Sequence, residues 1–278
     1  MTVRCAVLGS PIAHSLSPVL HRAAYASLGL DWEYDARDVG EDDLAGFLDG
    51  LDETWRGLSL TMPLKRAVVP LLDEVSARAD QARAANTVVL DRVGQGVRRV
   101  GHNTDIPGAA AALRERYDGP LDRAVVLGGG ATAASVLLGL ADLGCGSATL
   151  LVRDEARAAD TLAAVARHAA PPRVEVRPLG SDVPSAEVLV STIPASAHTD
   201  HELRLVDAVS VVFDVLYDPW PTPLAARARE VGRRLVTGLD LLVHQAALQV
   251  ELMTGEPAPV AAMRLAGERA VERRGRTA

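Results

Sequence analysis

Short apolar runs alternate with longer amphipathic stretches along this chain, regularly enough to predict elements through most of its length. Arg4 to Leu8 (RCAVL) reads as a buried strand. SPVLHRAAYASLGL follows as a helix, with Ser17 as its N-cap, Pro18 in the first turn and Gly29 at its C-terminus. Trp32 to Asp38 is a second strand, EDDLAGFLDGL a second helix, and GLSLTMP a third strand running into a proline turn. AVVPLLDEVSARADQARAA reads as mostly helix, and NTVVLDRVGQGVRRVGHN as a hairpin. NTDIPGAAAALRERY opens another helix, capped by Thr104 or Asp105, and ends at the Gly-Pro break at 119 and 120.

A second alternation begins after that break. DRAVVLGGGATAASVLLGLADLG is strand, glycine-rich turn and helix; SATLLVRD is a strand and EARAADTLAAVARHAA a helix. VEVRPL, AEVLVSTIP and SVVFDVLY are three further strands, and LDLLVHQAALQVELMTG is a strong helix ended by Gly255 and Pro257. Strand alternating with helix predicts an α/β fold with largely parallel sheets. The change of pattern places one domain at 1–105 and a second at 106–237, leaving 238–278 as C-terminal helices.

Composition narrows the function. A net charge of −7 over 278 residues argues against a nucleic-acid partner. No apolar stretch approaches the roughly eighteen residues of a membrane span, and MTVRCAVLGS has too short an apolar segment for a signal peptide. Cys5 and Cys145 are too few for a disulfide framework or a metal site, so no metal is expected and the chain reads as cytoplasmic. Of 29 basic residues only Lys65 is lysine, and Asn86 and Asn103 are the only asparagines. All three fall between positions 65 and 105. Either they cluster by chance, or a site there needs a compact, proton-exchanging cation that arginine cannot replace.

Several stretches carry candidate chemistry. Gly128, Gly130 and Ala133 form a G-x-G-x-x-A pattern between a strand and a helix, where a backbone turn can cradle a pyrophosphate at a helix N-terminus. The next strand ends at Arg153, suited to the extra phosphate of NADP, with Arg157 four residues on. Asp154 would oppose that phosphate and leaves NAD open. In SPIAHSLSP, Ser15 and Ser17 lie beside His14, as turn and cap residues or as a nucleophile with its base. Gln245 shares a helical stripe with Leu241, Leu248 and Leu252, as a core hydrogen-bonder or a ligand contact. Tyr217 follows the strand SVVFDV, at the end of a sheet where α/β proteins bind ligands.

GSPIAHSLSPVLHRAAY, GLSLTMPLK, ANTV, GHNTDIPG, DVLYDPWPTPL and GLDLLVHQAALQVELMTG together resemble shikimate dehydrogenase, in that family's order and over nearly the whole chain. The resemblance implies a substrate domain completed by the C-terminal helices, around a Rossmann-like NADP-binding domain. It implies reversible NADPH-dependent reduction of 3-dehydroshikimate to shikimate, by a monomer or homodimer. Lys65 and Asp105 match the family's catalytic pair and would flank the reacting 3-hydroxyl. Ser15 and Ser17 would hold the substrate carboxylate, Thr61, Asn86 and Gln245 the ring hydroxyls, and Tyr217 would also lie at the substrate. Gly128, Gly129, Gly130, Ala131 and Thr132, with Arg153, Arg157, Val215 and Gly238, would hold the dinucleotide. Ser59 stands where the family usually has asparagine, Arg22 where asparagine is frequent, and GGGATAA replaces the usual GAGGA core. Three rival readings remain: a quinate/shikimate or aminoshikimate dehydrogenase preferring NAD, a non-catalytic nucleotide sensor, and a serine hydrolase using Ser17 and His14. The last lacks a G-x-S-x-G elbow.

Overall fold

β1 (Val3–Gly9) organises the first half of the chain. Cys5, Ala6, Val7 and Leu8 are all at most 2% exposed, because both faces of the strand are covered. A centrally placed parallel strand therefore reads as an unbroken apolar run. Ala6 and Leu8 pack with Leu44, Leu48, Leu58 and Leu64, while Cys5 and Val7 join Tyr25, Tyr34 and Met253 on the opposite face. α1 (Ser17–Leu28) leads to β2 (Trp32–Asp38), and α2 (Glu41–Asp49) to β3 (Trp55–Leu60), both parallel to β1.

Two differences from the pattern reading follow. Ser17 is the first residue inside α1, not its cap: Leu16 holds the cap position, and the Ser17 N–H donates to Ser15 Oγ at 3.3 Å. Gly29 does close the helix, in the left-handed conformation at φ 68°. The segment read as mostly helical from residue 67 is broken up. α3 (Leu64–Ala67) gives way to a 3-10 turn at Val69–Leu71, then β4 (Glu74–Val75) and α4 (Ala77–Ala82). Pro70 removes a helical donor there, the edge strand takes Glu74 and Val75, and Ser76 restarts the helix by accepting from the Ala79 N–H. The hairpin forms β5 (Thr87–Val93) and β6 (Gly96–His102), giving the sheet order β2-β1-β3-β5-β6-β4.

In this computed structural model the described residues are 2–94 and 96–275. They fall into two units, 1–104 with 243–278, and 105–242. The second opens with α5 (Asp105–Arg116) and β7 (Arg123–Leu127), α6 (Ala131–Asp142) and β8 (Ser147–Val152). A 3-10 turn at Glu155–Ala158, capped by Asp154, precedes a shorter α7 (Ala159–Val165) than the pattern suggests. Then come β9 (Arg173–Pro178), β10 (Val188–Ser191), α8 (Asp200–Leu205), β11 (Val211–Asp214), α9 (Pro223–Glu230) and β12 (Arg234–Thr237). β12, only four residues of RLVT, is a strand that the apolar pattern does not mark. All six strands are parallel, in the order β12-β11-β10-β7-β8-β9. This is the doubly wound arrangement whose order reverses between β7 and β10. α10 (Gly238–Thr254) runs through the division between the units, and α11 (Val260–Gly275) completes the first. Among the described residues, no helix is long and apolar enough to cross a membrane.

Asp240 anchors the start of α10. Its carboxylate accepts from the Thr237 N–H at 2.9 Å and hydroxyl at 2.8 Å, and from Arg116 Nη2 at 2.6 Å, while only 2% exposed. Replacing a buried acceptor with several donors costs more than an exposed cap does. Asp240→Ala is expected to lower stability by about 1–3 kcal/mol, read from the urea midpoint at unchanged denaturant slope.

Candidate active site

In the first unit the candidate residues gather at the C-terminal ends of β1 and β3. The backbone there is cross-tied: Thr61 N–H donates to Leu8 O at 2.9 Å, Ser10 N–H to Met62 O at 3.1 Å, and Leu60 N–H to Asn86 O at 2.8 Å. The SPIAHSLSP loop leaves β1 and the TMPLK turn leaves β3, so parallel pairing of these strands brings both segments to one edge. Lys65 is half-buried in α3, with its carbonyl accepting from the Ala85 N–H at 2.8 Å. Ser17 is 5% exposed at the start of α1. Ser15 is half-buried in front of it, and the helix N-terminus supplies partial positive charge. His14 is exposed, and its carbonyl accepts from Arg274 Nη1 at 2.8 Å, tying the loop to α11.

Asn86 and Gln245, 159 residues apart in sequence, meet directly. Asn86 Nδ2 donates to Gln245 Oε1 at 3.2 Å and to Thr104 Oγ1 at 2.9 Å, and Asn86 Oδ1 accepts from the Thr104 N–H at 2.8 Å. Gln249, one turn beyond Gln245, is 1% exposed and belongs to the same polar cluster. The pattern reading missed it, although its spacing of four from Gln245 puts it on the same buried stripe. Leu252, expected on that stripe, is instead 38% exposed.

His21, in α1, is wholly buried and stacks on Tyr34 at 3.9 Å between ring centres. Its Nδ1–H donates to the Ser17 carbonyl at 2.9 Å, and Nε2 finds no partner among the described residues. Burial holds its pKa down at about 4, against an ordinary 6.5. The ring is therefore neutral, at the foot of the turn that carries Ser17.

The second unit carries its candidates at the C-terminal ends of its strands. Gly128 ends β7 with φ 103°, a conformation that favours glycine, and a Cβ there would strike the Thr192 hydroxyl beyond β10. Its turn thus lies at the point where strand order reverses. Thr161 of α7, fully buried, donates to Gly129 O at 2.8 Å and pins the turn from the other side. No sequence signal marked Thr161. Gly130 caps α6 without a side-chain hydrogen bond, and a Cβ on it would meet nothing within 4 Å, leaving space before the helix N-terminus that Ala131 and Thr132 begin. A small anion suits such an end. Arg153 is exposed at the end of β8, and the Asp154 carboxylate is engaged by the Ala156 N–H at 3.0 Å. The Arg157 side chain lies outside the described residues. Val215 and Tyr217 follow β11, half-buried. Gly238 packs so closely on the Val215–Leu216 backbone that a Cβ would overlap both. Asp105 is 5% exposed at the first position of α5. These groups fit a dinucleotide: a glycine cradle, an uncapped helix end and an exposed guanidinium. Among the described residues, no cluster of three or more His, Cys, Asp or Glu could hold a metal ion.

The shikimate dehydrogenase substrate binding domain model matches residues 7–88, and the shikimate 5'-dehydrogenase C-terminal domain model matches residues 238–265. The shikimate dehydrogenase (NADP(+)) of Moorella thermoacetica is 38% identical over 271 residues, covering 93% of this chain and 90% of that protein. The chain belongs to the shikimate dehydrogenase family. The crystal structure of Mycobacterium tuberculosis shikimate dehydrogenase is 42% identical, with a TM-score of 0.84 over 96% of this chain and 99% of that one. A Thermus thermophilus shikimate 5-dehydrogenase solved in complex with shikimate is 33% identical, with a TM-score of 0.80 over 98% of this chain and all of the other. Family membership accounts for the two-domain α/β architecture and for the glycine-rich turn after β7.

His21 makes one consequence of this packing measurable. Its folded pKa lies below its unfolded one, so the unfolded chain binds the extra proton first. Its contribution is complete above about pH 6.5 and falls away as pH drops to about 4. The loss is on the order of 3 kcal/mol, and a His21→Phe variant is expected to flatten that part of the stability–pH profile measured by urea unfolding.

Proposed function

We propose that this chain is an NADP-dependent shikimate dehydrogenase, reversibly reducing 3-dehydroshikimate to shikimate in the route to aromatic amino acids, as a cytoplasmic monomer or homodimer. Family membership at 38% identity over nearly all of both chains carries the reading, and the residues supply the chemistry. When bound, the nicotinamide cofactor gives and takes a hydride at the substrate's third carbon. Gly128, Gly129, Gly130, Ala131 and Thr132 would hold its pyrophosphate and Arg153 and Arg157 its extra phosphate, with Val215 and Gly238 also against the dinucleotide.

Reducing a ketone builds negative charge on its oxygen, and a cation or proton donor at that atom lowers the barrier. Lys65 takes that role, and Asp105 orients the reacting hydroxyl. Ser15 and Ser17 hold the carboxylate of the ring by hydroxyl hydrogen bonds near the N-terminus of α1, an anion site without an arginine. Thr61, Asn86 and Gln245 hold the ring hydroxyls, and Tyr217 also contacts the substrate. The cap made by Asp154 supports NADP over NAD, because its carboxylate is already committed to the turn after β8.

Purified protein is expected to reduce NADP on addition of shikimate, followed by nicotinamide absorbance. Comparing kcat/KM for shikimate and quinate with NADP and NAD separates this reading from a quinate dehydrogenase. Lys65→Ala should lower kcat by about 10²–10⁴-fold with a much smaller change in KM, and wild-type turnover in that variant would refute the role. Ser17→Ala should raise the KM for shikimate by about 10–100-fold while chemistry persists, whereas a nucleophilic serine would lose chemistry altogether. Arg153→Ala should raise the KM for NADP and leave that for NAD unchanged.

A further inference from the structure

The buried polar side chains of the first unit form one directed chain of hydrogen bonds, and its direction follows from two backbone anchors. The carbonyl of Asn86 can only accept, so the Gln249 nitrogen faces it at 3.1 Å. Gln249 Oε1 is then left to accept from the Ser59 hydroxyl at 2.8 Å. With its proton so used, Ser59 accepts from the Tyr34 hydroxyl at 2.6 Å. On the other side, the N–H of Thr104 can only donate, so Asn86 presents Oδ1 to it. Thr87 accepts from Gln249 Nε2 at 3.0 Å and donates its own proton to Asn86 Oδ1 at 3.0 Å. The Asn86 nitrogen is thereby turned to Gln245 Oε1. Donors run in one sense from Tyr34 through Ser59 to Gln249, and again from Gln249 through Thr87 and Asn86 to Gln245. All six residues are at most 7% exposed, so water does not compete for these bonds.

We propose that Ser59, Thr87 and Gln249 are positioning residues for substrate recognition: acting through Asn86, they fix which end of the Gln245 amide is offered to the ring hydroxyls. The inference rests on the reading of Gln245 as a substrate contact. An amide flipped by half a turn exchanges donor for acceptor at unchanged shape, and discrimination between hydroxylated rings depends on that exchange. The relay makes the flip costly, because each reversed bond would set donor against donor or acceptor against acceptor in a sealed interior. It also gives Ser59 a use different from a direct substrate contact, since its hydroxyl is committed to Tyr34 and Gln249.

Thr87 provides a test that separates positioning from packing. Thr87→Val keeps the volume and removes the hydroxyl; Thr87→Ser keeps the hydroxyl and removes a methyl. Positioning predicts that Thr87→Val raises the KM for shikimate about tenfold, leaves the KM for NADP unchanged, and that Thr87→Ser stays within about twofold of wild type. A merely structural role predicts the reverse order, because only serine leaves a void. A second readout does not depend on the substrate assignment. Asparagine-selective 15N labelling yields the side-chain amides of only Asn86 and Asn103. The Asn86 amide protons should exchange slowly in wild type and Thr87→Ser and at least about tenfold faster in Thr87→Val. Wild-type protein inactive on shikimate would overturn the functional reading alone, leaving the exchange measurement to decide the relay. Equal exchange in the two variants, or an unchanged KM in Thr87→Val of an active enzyme, would overturn the relay.

Discussion

A hydrogen bond with only one possible direction governs the polar interior of the first unit: the backbone N–H of Thr104 donating to Asn86 Oδ1 at 2.8 Å. It makes asparagine the appropriate side chain at 86, since the group must accept from a backbone donor on one side and donate to Gln245 on the other. An aspartate would lack the second function and a leucine both. The same bond holds the backbone directly ahead of Asp105. Asn103, the only other asparagine, donates to the Ala84 carbonyl at 3.0 Å. An arginine-rich, asparagine-poor chain thus keeps both asparagines where amide geometry is needed.

The second unit faces a different constraint, that of holding a glycine-rich backbone turn in place without side chains of its own. Gly128 gives the sharp exit from β7, Thr161 ties the Gly129 carbonyl back to α7, and the Thr192 hydroxyl bonds Leu127 O at 2.8 Å from across the reversal point. Two threonines on separate elements therefore brace a segment that has no side chains of its own to brace it. Between them the space at Gly130, where an added Cβ would meet nothing within 4 Å, stays open.

Much of this was legible in the pattern of residues. Unbroken apolar runs such as CAVL and AVVL located the central parallel strands, because strands covered on both faces leave no polar periodicity. The turn at Gly128 and the helix end at Gly29 were legible because their backbone conformations favour glycine. What escaped was set by distant chain segments. Ser17 looked like a cap, but the chain enters α1 one residue earlier and Ser15 takes the Ser17 N–H. Residues 67–85 had helical composition, yet Pro70 and pairing of β4 with β6 broke the run. Gln249 meets Thr87 from 162 positions away, and Thr161 meets Gly129 from 32, so neither pairing is visible in a local window. Composition singled out Lys65, Asn86 and Asn103 between positions 65 and 105 without deciding between chance and a site; the partners of the two asparagines required the fold.

The first unit is discontinuous, made of residues 1–104 and 243–278, whereas 105–242 is a single stretch. On a ribosome the inner stretch is therefore complete while the outer one still lacks α11 and most of α10. Through that interval Asn86, Ser59 and Thr87 have been made but Gln245 and Gln249 have not, and the amides and hydroxyls of the sheet face water. Domains fold as units in the order they emerge; here the unit that begins first finishes last. The final thirty-odd residues supply the two glutamines and the helix against which β1 is sealed. The buried polar cluster is in this sense the last feature the nascent chain completes, and a chain released early would carry the whole of 105–242 without it.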